Sequence, residues 1–89
     1  MDKELMEEMV GNLEKVTEIY YQGKKEEGNV LFQQVIPQIA VVANMLEGTG
    51  LEKELLASLQ EALGAMQDGE YVLLADILQY EIIEKLREL

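Results

Sequence analysis

Apolar residues recur along most of the chain at alternating intervals of three and four positions, the spacing of one face of an α-helix. This spacing predicts a first helix over residues 2–22. Asp2 is placed to cap its beginning, and Gly23 to end it in a left-handed conformation. The apolar face of the first helix consists of Met6, Met9, Leu13, Val16 and Tyr20.

The same spacing predicts a second helix over residues 28–47, starting at about Asn29 or up to three residues earlier. Its apolar face consists of Phe32, Val35, Ile39, Val42 and Leu46. Pro37 lies inside this segment, where it removes a backbone hydrogen bond and clashes with the carbonyl one turn earlier. Because the apolar register continues across Pro37, we expect one kinked helix, the alternative being two shorter helices that meet near Ile36.

A third helix is predicted over residues 50–67 and a fourth over residues 69–88. Thr49 and Glu52 have the spacing of a capping box at the start of the third helix. Asp68 is expected to cap the fourth helix. The third helix has its predicted stripe at Leu56, Leu59, Leu63 and Met66, and the fourth at Leu74, Leu78, Ile82, Leu86 and Leu89.

Short connections between these helices predict two αα-hairpins in one domain, residues 1–89. The expected fold class is therefore all-α, an up-down antiparallel four-helix bundle. The two halves also overlay without a gap at a shift of 43 residues, as when Leu13 falls on Leu56 and Val16 on Leu59. Any two amphipathic hairpins can match in this way, so internal duplication stays open.

The charge of the chain excludes more classes of function than its length does. The chain has 18 acidic and 7 basic residues, a net charge of −11. Such a chain has no basic face for nucleic acid and would be repelled by an anionic membrane. No apolar run is long enough to cross a bilayer, and the charged start does not resemble a signal peptide. With no cysteine in the chain, we expect a cytoplasmic protein.

Residues that carry out chemistry are scarce. The chain has no histidine, which removes the commonest acid–base group and metal ligand. Ser58 is the only serine and has no evident base beside it in the sequence. The segment Gly48-Thr49-Gly50 lacks the lysine of a phosphate-binding loop. We therefore expect no enzymatic activity, no cofactor and no metal site.

A protein interface remains as the expected functional site. Tyr20 and Tyr21 are adjacent, so on a helix they point about 100° apart and cannot both face one core. The same argument applies to Leu73 and Leu74 and to Ile82 and Ile83. Because one member of each pair must point away from the core, the fourth helix has more apolar surface than one core needs. A homodimer formed through this helix would bury the surplus. The candidate interface residues are Tyr20, Tyr21, Leu73, Ile77, Tyr80 and Ile83.

The run from Gly23 to Leu89 resembles the helical hairpins of bacterial flagellar export chaperones, which are small acidic bundles. The resemblance lies in Val35-Ile36-Pro37-Gln38-Ile39 followed by Leu46, in Leu59 to Leu63, and in Ala75-Asp76-Ile77-Leu78 with Leu86-Arg87-Glu88-Leu89. The N-terminal partner-binding segment of those chaperones has no counterpart here. The resemblance implies a cytoplasmic bundle that holds another protein before export, and it assigns no functional residue.

Together these features predict a non-enzymatic helical protein that binds another protein in a chaperone-like or adaptor role and also self-associates. A purely structural homo-oligomer and an acidic inhibitor or mimic that captures a basic protein are the alternatives.

Overall fold

The fold is described for residues 3–89 by a computed structural model, and within this range all regular elements are helical. The expected cap Asp2 lies outside the described residues. Four helices are present, as predicted, and the fourth has three consecutive parts. The elements are α1 (Lys3–Tyr21), α2 (Lys25–Met45), α3 (Gly50–Gln67) and a fourth helix composed of α4 (Tyr71–Ile77), a π-helical turn (Leu78–Ile82) and α5 (Ile83–Arg87).

The four helices form an up-down bundle. α1 packs against α2 and the fourth helix, and α3 packs against the same two neighbours. Two contacts show that α1 and the fourth helix are antiparallel: the hydroxyl of Tyr21 donates to Asp76, and Arg87 pairs with Glu14 at 3.1 Å. The predicted fold class, a four-helix bundle of two αα-hairpins, is therefore confirmed.

The core contains the predicted stripes of α1 and α2, except that Met6 and Leu46 are partly buried and pack against its edge. On α3 the predicted stripe is displaced. Leu56 is 42% exposed, whereas Leu55 and Ala65 are buried. Leu55, Leu59 and Ala62 are as periodic as the predicted set, and the small side chains of Ser58 and Ala65 let α3 approach its neighbours closely. The buried side chains of α3 are Leu55, Ser58, Leu59, Ala62 and Ala65.

Both hairpins turn through the same backbone motif. After α1, the amide of Gly23 donates to the Tyr20 carbonyl and the amide of Lys24 to the Ile19 carbonyl. After α3, Gly69 and Glu70 repeat these bonds. This is the Schellman motif, which needs a left-handed residue, and Gly23 (φ 79°) and Gly69 (φ 73°) supply it. The turns therefore correspond at a spacing of 46 residues rather than the 43 of the sequence overlay.

This motif overturns the predicted cap of the fourth helix. Asp68 is helical (φ −83°, ψ −1°) and is the cap at the end of α3. Because Gly69 then reverses the chain, the residue preceding α4 is Glu70, which makes no side-chain capping bond.

The predicted capping box at Thr49 is also wrong. Thr49 is the extended residue before α3, but its hydroxyl donates to the Leu46 carbonyl at 2.7 Å instead of accepting from an α3 amide. The same carbonyl also accepts from the Thr49 amide at 3.0 Å, so both groups of Thr49 bond to the end of α2. Gly48 takes a left-handed conformation (φ 87°) between α2 and α3.

α2 begins three residues before the predicted position 28 because its first turn extends back to Lys25. The amide of Gly28 already donates to the Lys24 carbonyl, and Glu26 and Glu27 lie where the helix dipole favours carboxylates. α2 continues through Pro37 as a single helix rather than two shorter ones, and the kink at Pro37 stays a prediction.

The π-helical turn explains how the fourth helix buries two adjacent pairs of apolar residues. Ile77 and Leu78 are buried, and so are Ile82 and Ile83, five positions later. In a regular α-helix, residues five apart lie on different sides. A π-helical turn holds more residues and bonds each amide to a carbonyl five positions back, so it returns the second pair to the core.

Candidate functional site

Exposed aromatic and apolar side chains gather where α1 ends beside the fourth helix. Leu73, Asp76 and Tyr80 follow one another at intervals of three and four on the outward side of the fourth helix. Tyr21 reaches this side from α1 through its hydrogen bond to Asp76. We call these four residues, together with Val72, the tyrosine surface. Its apolar members are all exposed: Tyr21 47%, Val72 65%, Leu73 47% and Tyr80 68%.

The centre of the tyrosine surface is polar and acidic. The Tyr21 hydroxyl donates a short hydrogen bond to Oδ1 of Asp76, which leaves further acceptor capacity on the carboxylate. This hydrogen bond, followed by burial and the negative charge of Asp76, raises the pKa of Tyr21 to about 12. The surface therefore joins aromatic area to an anionic group that can accept hydrogen bonds from a partner.

The structure corrects half of the predicted interface. Tyr21, Leu73 and Tyr80 are exposed, and the first and last of these lie near one another. Tyr20, by contrast, is a core residue with 2% exposure. The prediction that only one of the two adjacent tyrosines faces the core is confirmed, with Tyr21 outside.

Ile77 and Ile83 are also core residues, with 5% and 0% exposure. They were expected at the interface because adjacent α-helical residues diverge, but the π-helical turn lets the fourth helix bury both members of each pair. The surplus apolar surface of the fourth helix is therefore smaller than the sequence predicts. Sequence reasoning also missed Val72 and Asp76 as members of this surface; their signal is the helical spacing that links them to Tyr80.

Ser58 has polar partners that the sequence did not reveal. Its hydroxyl donates to Oε1 of Glu81 at 3.2 Å and accepts from Nζ of Lys85 at 2.9 Å. Ser58 is 2% exposed, so its oxygen is covered by the α3–fourth-helix contact. Lys85 donates a hydrogen bond to the serine oxygen and is not placed to accept the serine proton as a base. The geometry fits a structural network that fixes the packing of two helices.

A groove of about 590 Å³ lies at the other end of the bundle, between the beginning of α1 and the end of α5. Its floor is apolar, and its rim carries Lys3, Glu7 and the Arg87–Glu14 ion pair. Both partners of that ion pair have half-exposed side chains, so solvent weakens the pair. Within residues 3–89 there is no cluster of three or more side chains suited to holding a metal ion. In the same part of the chain, no helix is both long and apolar enough to cross a membrane.

Comparison with known proteins assigns the chain to a family. No curated protein and no solved structure matches the chain. Residues 3–89, all of the described helices, match a family defined only as a domain of unknown function. The chain therefore belongs to the DUF8042 family.

Proposed function

We propose that this chain is a non-enzymatic protein-binding module, chaperone-like or an adaptor, that holds a basic amphipathic helix of another protein on its tyrosine surface. One observation carries the proposal: Tyr21, Leu73 and Tyr80 are exposed together around the carboxylate of Asp76. Tyrosine is enriched at protein interfaces because it combines a large apolar body with a hydroxyl that can remain hydrogen-bonded.

The charge of the chain supports a basic partner. With a net charge of −11, the protein attracts cationic segments and repels acidic ones before any contact forms. A helix with apolar residues on one side and lysine or arginine on the other would cover Leu73 and Tyr80 and place a donor near Asp76. Helix-in-groove recognition uses this arrangement of apolar anchors. The absence of cysteine from the sequence supports a cytoplasmic setting.

A peptide panel tests the proposal. The probes are a synthetic cationic amphipathic helix, the same peptide with glutamine in place of its basic residues, and an acidic version. Affinity is measured by calorimetry for the wild type and for the double variant Leu73→Ser/Tyr80→Ser. We expect the cationic peptide to bind most tightly, and the double variant to lose at least about tenfold in affinity, as for a central interface residue.

Leu56→Ser is the matched control, because Leu56 is 42% exposed but lies on α3, outside the tyrosine surface. Equal binding of the three peptides would contradict the proposal. A different outcome would be that the double variant binds the cationic peptide as well as the wild type does, and that moderate salt abolishes this binding. Such a result would indicate an acidic mimic acting through charge alone.

A further inference from the structure

After its first turn, which holds Lys25, Glu26 and Glu27, the exposed side of α2 carries no charged residue, although the protein is strongly charged. No aspartate, glutamate, lysine or arginine occurs from Gly28 through Leu46, although 28% of the chain is charged. Charged residues are normally the main occupants of exposed helix positions. Their absence from a helix with a solvent-exposed side therefore requires an explanation.

Burial on all sides does not explain it. Phe32, Val35 and Ile39 face the core, but Val41 and Met45 on the opposite side are 47% and 54% exposed. We call the exposed, uncharged residues of this side the α2 face. They are Val30, Gln33, Gln34, Pro37, Ala40, Val41, Asn44 and Met45.

The α2 face has the composition of an interface between helices. Its centre is apolar, with Val30, Pro37 and Val41 following one another at helical spacing. The amides of Gln33, Gln34 and Asn44 flank this centre and can form hydrogen bonds across a protein contact. Lipid would leave these amides without partners, so the composition favours a protein over a membrane.

The occupant that fits the α2 face best is a second copy of the chain. Two copies with a net charge of −11 each repel one another, and the repulsion is strongest where carboxylates meet. The exposed sides of the other helices carry such carboxylates, for example Glu18 on α1, Glu61 on α3 and Glu84 on the fourth helix. Between Gly28 and Met45 two copies can meet on the α2 face without placing like charges in contact; the nearest carboxylates, Glu26, Glu27 and Glu47, lie beyond its ends.

We propose that the chain forms a symmetric homodimer in which the α2 faces of two copies pack antiparallel. A twofold axis beside Pro37 places Val30 of one copy against Met45 of the other, and Gln34 against Val41. The face is then self-complementary, as a twofold interface requires. This dimer leaves the tyrosine surface on the fourth helix free, and it replaces the fourth helix as the self-association surface.

The expected dimer is reversible. α2 has 21 residues, a length of about 32 Å at 1.5 Å per residue. A contact centred on one helix pair buries less than the roughly 1,600 Å² of a standard interface. We therefore expect a dissociation constant on the order of micromolar, so that monomer and dimer coexist at measurable concentrations.

Sedimentation equilibrium of two matched variants tests the position of the interface. Val41→Glu introduces a carboxylate into the α2 face, whereas Val72→Glu makes the same change at a 65% exposed valine of the fourth helix. We expect Val41→Glu to raise the dissociation constant at least about 100-fold and Val72→Glu to retain the wild-type dimer. Both positions are exposed, and circular dichroism of each variant verifies that it is folded.

Cross-linking tests the geometry, because the chain has no native cysteine. A single cysteine in Pro37→Cys lies beside the proposed axis and should form an intermolecular disulfide under mild oxidation. Ala57→Cys, exposed on α3, should not.

Salt should strengthen the dimer by screening the repulsion, the opposite of its effect on a basic partner. A wild type that is monomeric at moderate salt, or a dimer lost in Val72→Glu but kept in Val41→Glu, would overturn the proposal.

Discussion

The ring of Tyr20 on α1 lies directly against the backbone of Gly28 on α2. A Cβ atom at position 28 would lie 2.5 Å from Cε1 of that ring, well inside van der Waals contact. The ring cannot easily retreat, because its hydroxyl donates to Asn29 at 2.6 Å and its face packs on Tyr71 with ring centroids 5.6 Å apart. Because Gly28 has no Cβ atom, α1 and α2 can pack closely enough to bury Tyr20 between them.

Gly28→Ala should destabilise the fold. The added methyl group must displace the Tyr20 ring or separate α1 from α2, and overpacking of this kind costs roughly 1–3 kcal/mol. We expect the free energy of unfolding, measured by urea denaturation, to fall by about 2 kcal/mol. In the double variant Gly28→Ala/Tyr20→Leu the clash disappears, so a smaller effect of the alanine there would identify the ring as its cause. An effect of the same size in both backgrounds would contradict this account.

Gly11→Ala and Gly64→Ala should have the opposite effect. Both glycines are inside helices, and a Cβ atom at either position meets nothing within 4 Å. Alanine stabilises a helix interior by about 1 kcal/mol relative to glycine. We expect each variant to raise the urea midpoint. Gly23→Ala is the contrasting variant, because the left-handed backbone there (φ 79°) penalises a side chain. If Gly11→Ala lowers the midpoint, α1 needs the glycine for a reason other than space.

The helices of this fold are largely readable from the sequence because they are separated by strong breakers. α3 has its predicted bounds, and α1 and the fourth helix lie within two residues of theirs. The sequence shows less clearly which apolar residues face the core where two sets of positions have the same helical spacing. On α3, Leu55 and Leu56 both fit a helical stripe, and the structure buries Leu55 together with Ser58, whose hydroxyl bonds to Lys85 of the fourth helix.

The candidate site was predictable only as far as regular α-helical geometry holds. Tyr21 and Leu73 were found because the adjacent residues Tyr20 and Leu74 are the ones buried. Ile83 was assigned to the surface because the π-helical turn changes the phase of the residues after it, whereas Ile77 lies before that turn and packs in the core beside Leu78. The signal was present as two apolar pairs separated by five positions, a spacing that an α-helix does not place on one side.

Asp76→Ala should lower the pKa of Tyr21 from about 12 toward the ordinary tyrosine value of 10.0. The folded-state value is raised because the protonated hydroxyl donates to the carboxylate. Its contribution to stability is therefore complete below pH 10 and is lost as pH rises toward 12. Carbon-13 resonances of labelled tyrosine rings resolve this titration residue by residue. Glu84→Ala removes a carboxylate near Arg87 instead and should leave the Tyr21 titration unchanged. An unaltered Tyr21 midpoint in Asp76→Ala would show that the hydrogen bond is absent in solution.

Deletion of Tyr80 should be tolerated, although deletion inside a helix normally rotates all later residues out of register. Tyr80 is 68% exposed and lies within the π-helical turn, which holds one residue more than an α-helical turn. Its removal should convert that turn to α-helix, with Leu74, Leu78, Ile82 and Leu86 still facing the core. Deletion of exposed Ala57 in α3 is the control, because α3 has no such turn to absorb it. Circular dichroism and urea denaturation should show cooperative unfolding for the first deletion and loss of the native fold for the second. Equal damage from the two deletions would mean that the π-helical turn is required by the core, not merely accommodated in it.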